Sequence, residues 1–270
     1  MTIADDSQNR AAKRISPSSL EQKAEDNMLR AAARWSMAGG GSVWEAPGLL
    51  CVLTAVPMRS FNQVFVIQNL SSADDLFESI GRYRQAGARF RVRARAGIAR
   101  DSEPVLRELG LRRQGGIPCM AVPDAGQVHP AQSALDIRRV EDTVTLNDHV
   151  AVVAEAFGWG RADLARVFTP ALISAPGWIG LVGYADGEPV ASAQALMEDG
   201  VTGIYYVATA ETHRRKGYGD AITRRAIAEG ARRRCDADTL QASPSGYPVY
   251  RKMGFVQISE YVTYVPEDAP

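Results

Sequence analysis

The chain has 270 residues, with 31 Lys+Arg against 31 Asp+Glu and a formal net charge of zero at pH 7. At ~100–200 residues per domain, that length allows one large domain or two compact ones, and the charge balance leaves no uniformly basic surface for a nucleic-acid backbone. Hydrophobic residues make up 46% and charged residues 23%, a globular composition too apolar for global disorder.

Residues 1–17 are polar and end in Ser16-Pro17, which predicts a flexible tail. Their charges fall where a secretory leader needs an apolar core. The longest apolar run, Gly48 to Val56, is also far short of the ~20 residues of a membrane span, so a cytoplasmic protein with no membrane partner is expected. Ser18 stands three residues before Glu21, a capping-box spacing, and Leu20, Ala24, Met28, Ala31 and Trp35 follow at helical intervals. After the glycines at 39–41 come two strand-like runs, Gly48–Val56 and Gln63–Leu70. Asp74 and Asp75 then open a second helix carrying Leu76, Phe77, Ile80 and Tyr83.

In the segment RFRVRARAG, Arg89, Arg91, Arg93 and Arg95 alternate with apolar residues, the period-two pattern of a half-buried strand whose basic face is read as solvated in preference to an anion or partner site. A short helix around Glu103–Leu109 and a strand at Cys119–Val122 end this half, and a Pro- and Gly-bearing linker is read at 126–135. Cys51, Cys119 and Cys235 form no CxxC pair and no zinc set, so reduced thiols and no metal are expected.

The second half opens with a strand near Ile137–Val140 and a helix read as capped by Thr145, which places His149 on an exposed helix position. Strand-like runs flank Asp186-Gly187 and Asp199-Gly200, a strong hairpin signal that implies a three-stranded antiparallel meander. Tyr205 and Tyr206 fall on opposite faces of its last strand by simple alternation, one of them lining a groove. The loop Gly158–Gly177 is expected to carry substrate specificity.

Beyond Val207 comes Arg214-Arg215-Lys216-Gly217-Tyr218-Gly219, leading into a helix read over Asp220–Arg234. Glycines let successive N–H groups converge on an anion, and a helix N-terminus adds partial positive charge. Between Arg214 and Arg234 there are eight Lys/Arg and two acids, which reinforces the attraction. Neither GxxxxGK[ST] nor GxGxxG is present, and an antiparallel meander is the wrong context for both, so the two common nucleotide folds are disfavoured.

R-x-x-G-x-G after a strand resembles the pyrophosphate-binding motif of the GNAT N-acetyltransferases, with Arg214, Gly217 and Gly219 at its fixed positions. Tyr250-Arg251-Lys252-Met253-Gly254-Phe255 is similar to that family's second signature, with Thr239–Ala242 supplying the strand between the two. The resemblance implies an α+β GNAT fold, a mixed and mostly antiparallel sheet flanked by helices, over a catalytic domain at 136–270. The N-terminal stretch 18–125 is read as a degenerate GNAT-like or unrelated α+β domain. Its Glu108-Leu109-Gly110-Leu111 is a faded counterpart of Lys252-Met253-Gly254-Phe255. Residues 70–75 lack glycine and bring two acids, so a phosphate cradle there is lost, and this half is expected to wall the acceptor site.

The resemblance further implies an acyltransferase taking acetyl-CoA as cosubstrate and a small-molecule or peptide amine as acceptor, in a ternary complex. A homodimer is left open. Arg214, Arg215, Lys216, Gly217, Tyr218, Gly219 and Asp220 would hold the coenzyme's pyrophosphate, with Val207, Thr209 and Ser243 along its arm. The Val207 N–H would stabilise the oxyanion and Tyr250 would protonate the departing thiolate. A carboxylate often found on the central strand of histone-modifying relatives falls at Gly203. Glu155, Glu198 and Asp199 are candidate substitutes, with His149 and His213 as weaker ones. The rival readings are a non-catalytic acyl-CoA sensor, favoured by that missing carboxylate, and a tandem enzyme with a larger acceptor, for which only the Arg89–Arg95 ridge speaks.

Overall fold

The computed structural model describes residues 17–123, 128 and 133–267. The predicted tail, Pro17 apart, and most of the predicted linker lie outside them. In chain order the elements are α1 (Pro17–Ala38), β1 (Ser42–Ala46), β2 (Leu49–Leu53), β3 (Gln63–Val66), α2 (Asp74–Gln85), β4 (Arg91–Arg95), α3 (Ala96–Glu108) and β5 (Leu111–Val122). They continue with β6 (Asp136–Arg139), α4 (Thr143–Phe157), α5 (Arg161–Val167), α6 (Pro170–Ile173), β7 (Trp178–Ala185), β8 (Glu188–Glu198) and β9 (Val201–Thr209). The last are α7 (Tyr218–Arg232), β10 (Ala237–Gln241), α8 (Tyr247–Lys252) and β11 (Val256–Pro266).

The eleven strands among the described residues join one sheet in the order β1-β2-β3-β4-β11-β5-β10-β9-β8-β7-β6. Two pairs are parallel, β3 with β4 and β9 with β10, and both stand at the same remove from the central pair β11 and β5. The arrangement therefore repeats about that central pair, as two α+β halves would. The last strand of each half is exchanged: β5 pairs with β10 of the second half, and β11 pairs with β4 of the first. Helices α1, α4, α5 and α6 cover one face through a core containing Trp35, Phe61, Leu164 and Phe168. On the other face α7 and α8 cover Ile222, Leu240 and Phe255, while α2 and α3 cover Tyr83, Leu106 and Tyr264.

Local chemistry explains most boundaries. Asp186-Gly187 and Asp199-Gly200 each place two successive residues at positive φ (52° and 83°; 51° and 77°), the tight turn whose twist suits antiparallel strands. The cap of α4 is Asp142 rather than Thr145. Asp142 Oδ1 accepts from the Thr145 N–H at 2.8 Å and Thr145 Oγ1 accepts from the Asp142 N–H at 3.3 Å, so Thr145 is the third-residue member of the box. Ser18 likewise lies inside the first turn of α1, not ahead of it. Strand β1 is absent from the sequence reading, and α3 and β5 are longer than expected. Residues Arg112–Gly116 are largely exposed and carry two glycines, and it is their register against β11 that makes them strand. Gly158–Gly177 is not an open loop, since α5 and α6 occupy most of it. All three cysteines are buried and free, and no helix among the described residues is long and apolar enough to cross a membrane.

Candidate active site

The parallel register of β9 and β10 ends at Ile204 opposite Leu240. Beyond it β9 carries a bulge: Gln194 and Ser192 of β8 oppose Tyr205 and Ala208, so three steps on β9 face two on β8, and Tyr206 adopts φ +48°. The strands part here, and the gap opens into a cavity of about 650 Å³. The bulge also corrects the alternation argument. Tyr205 and Tyr206 both line the cavity and both contact the Trp35 ring edge-on, at 5.1 and 4.9 Å. A residue in the left-handed region resets the period of two, and nothing in the local composition signals it.

Beyond β9, Gly217 is the N-cap of α7, with a φ of +79° that a residue without Cβ adopts at no cost, and no side chain caps this N-terminus. Its first N–H groups have no intrahelical acceptor. Arg214, Arg215 and Lys216 are exposed around it. Asp220, the acid of the first turn, is held by Arg224 at 2.8 Å, which offsets its charge. Thr209 sits beneath the same turn, because a Cβ on Gly219 would come 3.5 Å from its Oγ1. Tyr218 stacks with His213, ring centroids 6.3 Å apart. The elements needed for an anion cradle therefore meet at one end of the gap.

Val207, Ser243 and Tyr250 all line the cavity. Tyr250 is mostly buried on α8, beside Thr223 of α7, and burial pushes its phenol up to about 12, so it stays protonated at neutral pH. Ser243 Oγ accepts from the Gly246 N–H at 3.1 Å, which ties the start of α8 to the end of β10.

The acids and histidines considered as bases are engaged elsewhere, and none lines the cavity. Glu155 accepts from the Glu211 N–H at 2.9 Å, Glu198 pairs with Arg34 at 3.0 Å, and Asp199 pairs with Arg30. His149 is fully buried rather than exposed, because α4 turns it toward β7 and β8. Gln194 Oε1 accepts from the indoles of Trp35 and Trp178 at 2.8 and 3.3 Å, so its NH₂ faces His149 Nε2 at 2.9 Å, leaving the imidazole proton on Nδ1 toward Leu181 O. Burial lowers this His149 pKa to about 4, and it is a structural amide partner. Where a carboxylate was sought at Gly203, a Cβ would run into Asn27 Oδ1 and the Tyr205 hydroxyl.

The remaining walls come from the first half and from the end of α4 and the turn after it. Trp35 of α1, together with Phe157 and Trp159, forms an aromatic side, with Tyr206 packed among them. Gln63, Phe65, Arg91 and Arg93 of β3 and β4 line it as well. The basic strand face is thus not a solvated ridge: Arg93 is 6% exposed, and Arg95 pairs with Glu25 at 3.0 Å and Glu21 at 3.5 Å. The alternating arginines were visible in sequence, but their enclosure by α1 and β11 was not, since it depends on a strand arriving from the far end of the chain.

Residues 147–255 match the model of the Acetyltransferase (GNAT) family. Among solved structures, a GCN5-related N-acetyltransferase from Kribbella flavida matches with a TM-score of 0.64 and 18% identity, covering 89% of this chain and 96% of that one. A functionally unknown conserved protein from Staphylococcus epidermidis matches with a TM-score of 0.61 and 16% identity over 85% and 95% of the two chains. A GCN5-related N-acetyltransferase from Sphaerobacter thermophilus matches with a TM-score of 0.57 and 16% identity over 88% and 90%. At these identities the likeness is one of fold, and it spans both halves. Comparison with curated proteins gave no match.

Proposed function

We propose that this chain, whose residues 147–255 match the GNAT acetyltransferase family model, transfers acetyl from acetyl-CoA to the amine of a small molecule or peptide held in the cavity. The observation that carries this reading is the uncapped, glycine-bearing start of α7 at the mouth of the gap between β9 and β10. The residues fit the coenzyme: free N–H groups at Gly217 to Asp220 and the flanking Arg214, Arg215 and Lys216 suit its diphosphate, and Thr209, Val207 and Ser243 follow along the gap.

The bulge at Tyr206 interrupts the ladder beside Val207, which supports a Val207 N–H donating to the acetyl carbonyl as its oxygen gains charge. Tyr250, protonated throughout the physiological range, donates to the sulfur as the C–S bond breaks and the N–C bond forms. The amine attacks as a neutral group. With neither carboxylate nor histidine among the described cavity-lining residues, its surplus proton leaves through water, which in turn returns a proton to the Tyr250 phenolate. The first half supplies walls and no second cradle: α2 starts at Ala73 without a cap side chain and with Asp74 and Asp75 in its first turn.

The same lack of a lining base favours one rival, a module that binds acyl-CoA without turning it over. Thiol release from acetyl-CoA with pooled amines separates the two. Release that depends on the amine supports the transferase, and tight acetyl-CoA binding with no release under any amine supports the sensor.

A further inference from the structure

Two guanidiniums face the cavity without a carboxylate. Arg91 Nε donates to the neutral amide of Gln63 at 2.9 Å, and the Arg93 guanidinium lies 5.3 Å from the centre of the Tyr261 ring. Nε and Nη2 of Arg93 are buried with no hydrogen-bond partner among the described residues. The carboxylates nearest along the same strand face, Glu21 and Glu25 on α1, are taken by Arg95. Burying a cation costs several kcal/mol unless an opposite charge and hydrogen bonds compensate, and here the protein supplies only a ring face and an amide. Burial, reinforced for Arg91 by its like-charged neighbour, lowers both pKa values below the ordinary arginine range, as expected where no anion is present. Two adjacent guanidinium forks, that of Arg93 with unpartnered Nε and Nη2, suit a planar or tetrahedral oxyanion. The aromatic side made by Trp35, Phe157 and Trp159 suits an apolar body.

We propose that Arg91 and Arg93 form an oxyanion subsite for the acyl acceptor, which is therefore an amine that also carries a carboxylate or phosphate group on an apolar body. This rests on the transferase reading of the same cavity. The same reading assigns the coenzyme's diphosphate to the start of α7, none of whose residues lines the cavity with Arg91 and Arg93, so it does not compete for these two side chains.

The test compares matched acceptors in thiol-release assays: phenylalanine against phenethylamine, gamma-aminobutyrate against butylamine, and the aminophosphonate analogue of each acid. Calorimetry measures binding of the acids and of acetyl-CoA separately. The expected result is that the wild type favours an acid over its uncharged match by about 10–100-fold, the scale of charge-assisted hydrogen bonds. Preference for the carboxylate or for the phosphonate member identifies which oxyanion is native. Arg91→Gln and Arg93→Met should each remove most of that preference and leave acetyl-CoA affinity unchanged. Because Arg93→Met removes an uncompensated buried charge, its Tm should rise by about 2–4 °C, which keeps the test free of misfolding. Equal use of acids and uncharged amines, a preference that survives Arg93→Met, or loss of acetyl-CoA affinity in its place would overturn the subsite. Absent acetyl-CoA binding alongside Arg93-dependent acid binding would overturn the transferase reading alone.

Discussion

The Tyr205 hydroxyl donates to Asn27 Oδ1 at 2.7 Å and so ties β9 to α1 at the point where a side chain on residue 203 would stand. Asn27 uses its amide as well, donating to Leu196 O at 3.1 Å and Val201 O at 3.4 Å. A polar pair drawn from two halves of the chain thus fills the place at which a carboxylate was sought in sequence.

Gly203→Glu should therefore destabilise the protein and fail to raise turnover. The new side chain must displace a buried, fully bonded amide and a phenol, at a cost of about 2–4 kcal/mol. Urea denaturation checks this, and a variant as stable as the wild type with faster transfer would show the position to be open for a base.

Gly217→Asp should lower acetyl-CoA affinity by at least ~100-fold, by setting a negative charge among the free N–H groups of α7. A Cβ at this position meets no atom within 4 Å, so the folding cost is confined to the positive φ, about 1–2 kcal/mol. Calorimetry and a melting curve read the two effects apart, and unchanged affinity would remove the cradle from α7.

Tyr250→Phe should reduce kcat by about 10²-fold and shift acetyl-CoA affinity by no more than ~3-fold, since the phenol matters only as the sulfur departs. Parallel losses in both would make Tyr250 a packing residue against Phe255, whose ring centroid lies 5.8 Å away.

Asp238 is fully buried on β10 beside Thr202, and burial, only partly offset by the Thr202 side chain, pushes its pKa up to about 7. A folded-state pKa raised above the unfolded value of ~4 means that stability is fully present below about pH 4 and is lost as pH climbs toward 7. Asp238→Asn escapes that loss. Its advantage over the wild type should be small at pH 4 and grow to about 3 kcal/mol at pH 8. Denaturation at the two pH values decides, and a constant difference would place the titration elsewhere.

The elements legible in sequence were those governed by neighbours a few residues away: the Asp-Gly turns, the glycines before α7, and the Tyr250 helix ending at Gly254-Phe255. What escaped depends on partners far along the chain. Strand β1 pairs with β2 through the register Trp44 to Cys51, with little apolar alternation of its own. The bulge at Tyr206 is defined against β8, and the enclosure of Arg93 requires β11. His149 shares the buried face of α4 with Leu146, Val150 and Val153, a placement its polar residue type conceals in sequence.

The exchange of β5 and β11 means that neither half holds all the strands of its own sheet. A cut in the segment joining β5 to β6 would give an N-terminal piece in which β4 loses its partner β11, and a C-terminal piece in which β10 loses β5. Both would expose unpaired ladder edges and tend to self-associate. Made together, the pieces should recombine into a single nicked molecule, because each carries the strand the other lacks. During synthesis β4 and β5 must likewise wait for β11, so the amino-terminal portion stays vulnerable to proteases until that strand has emerged.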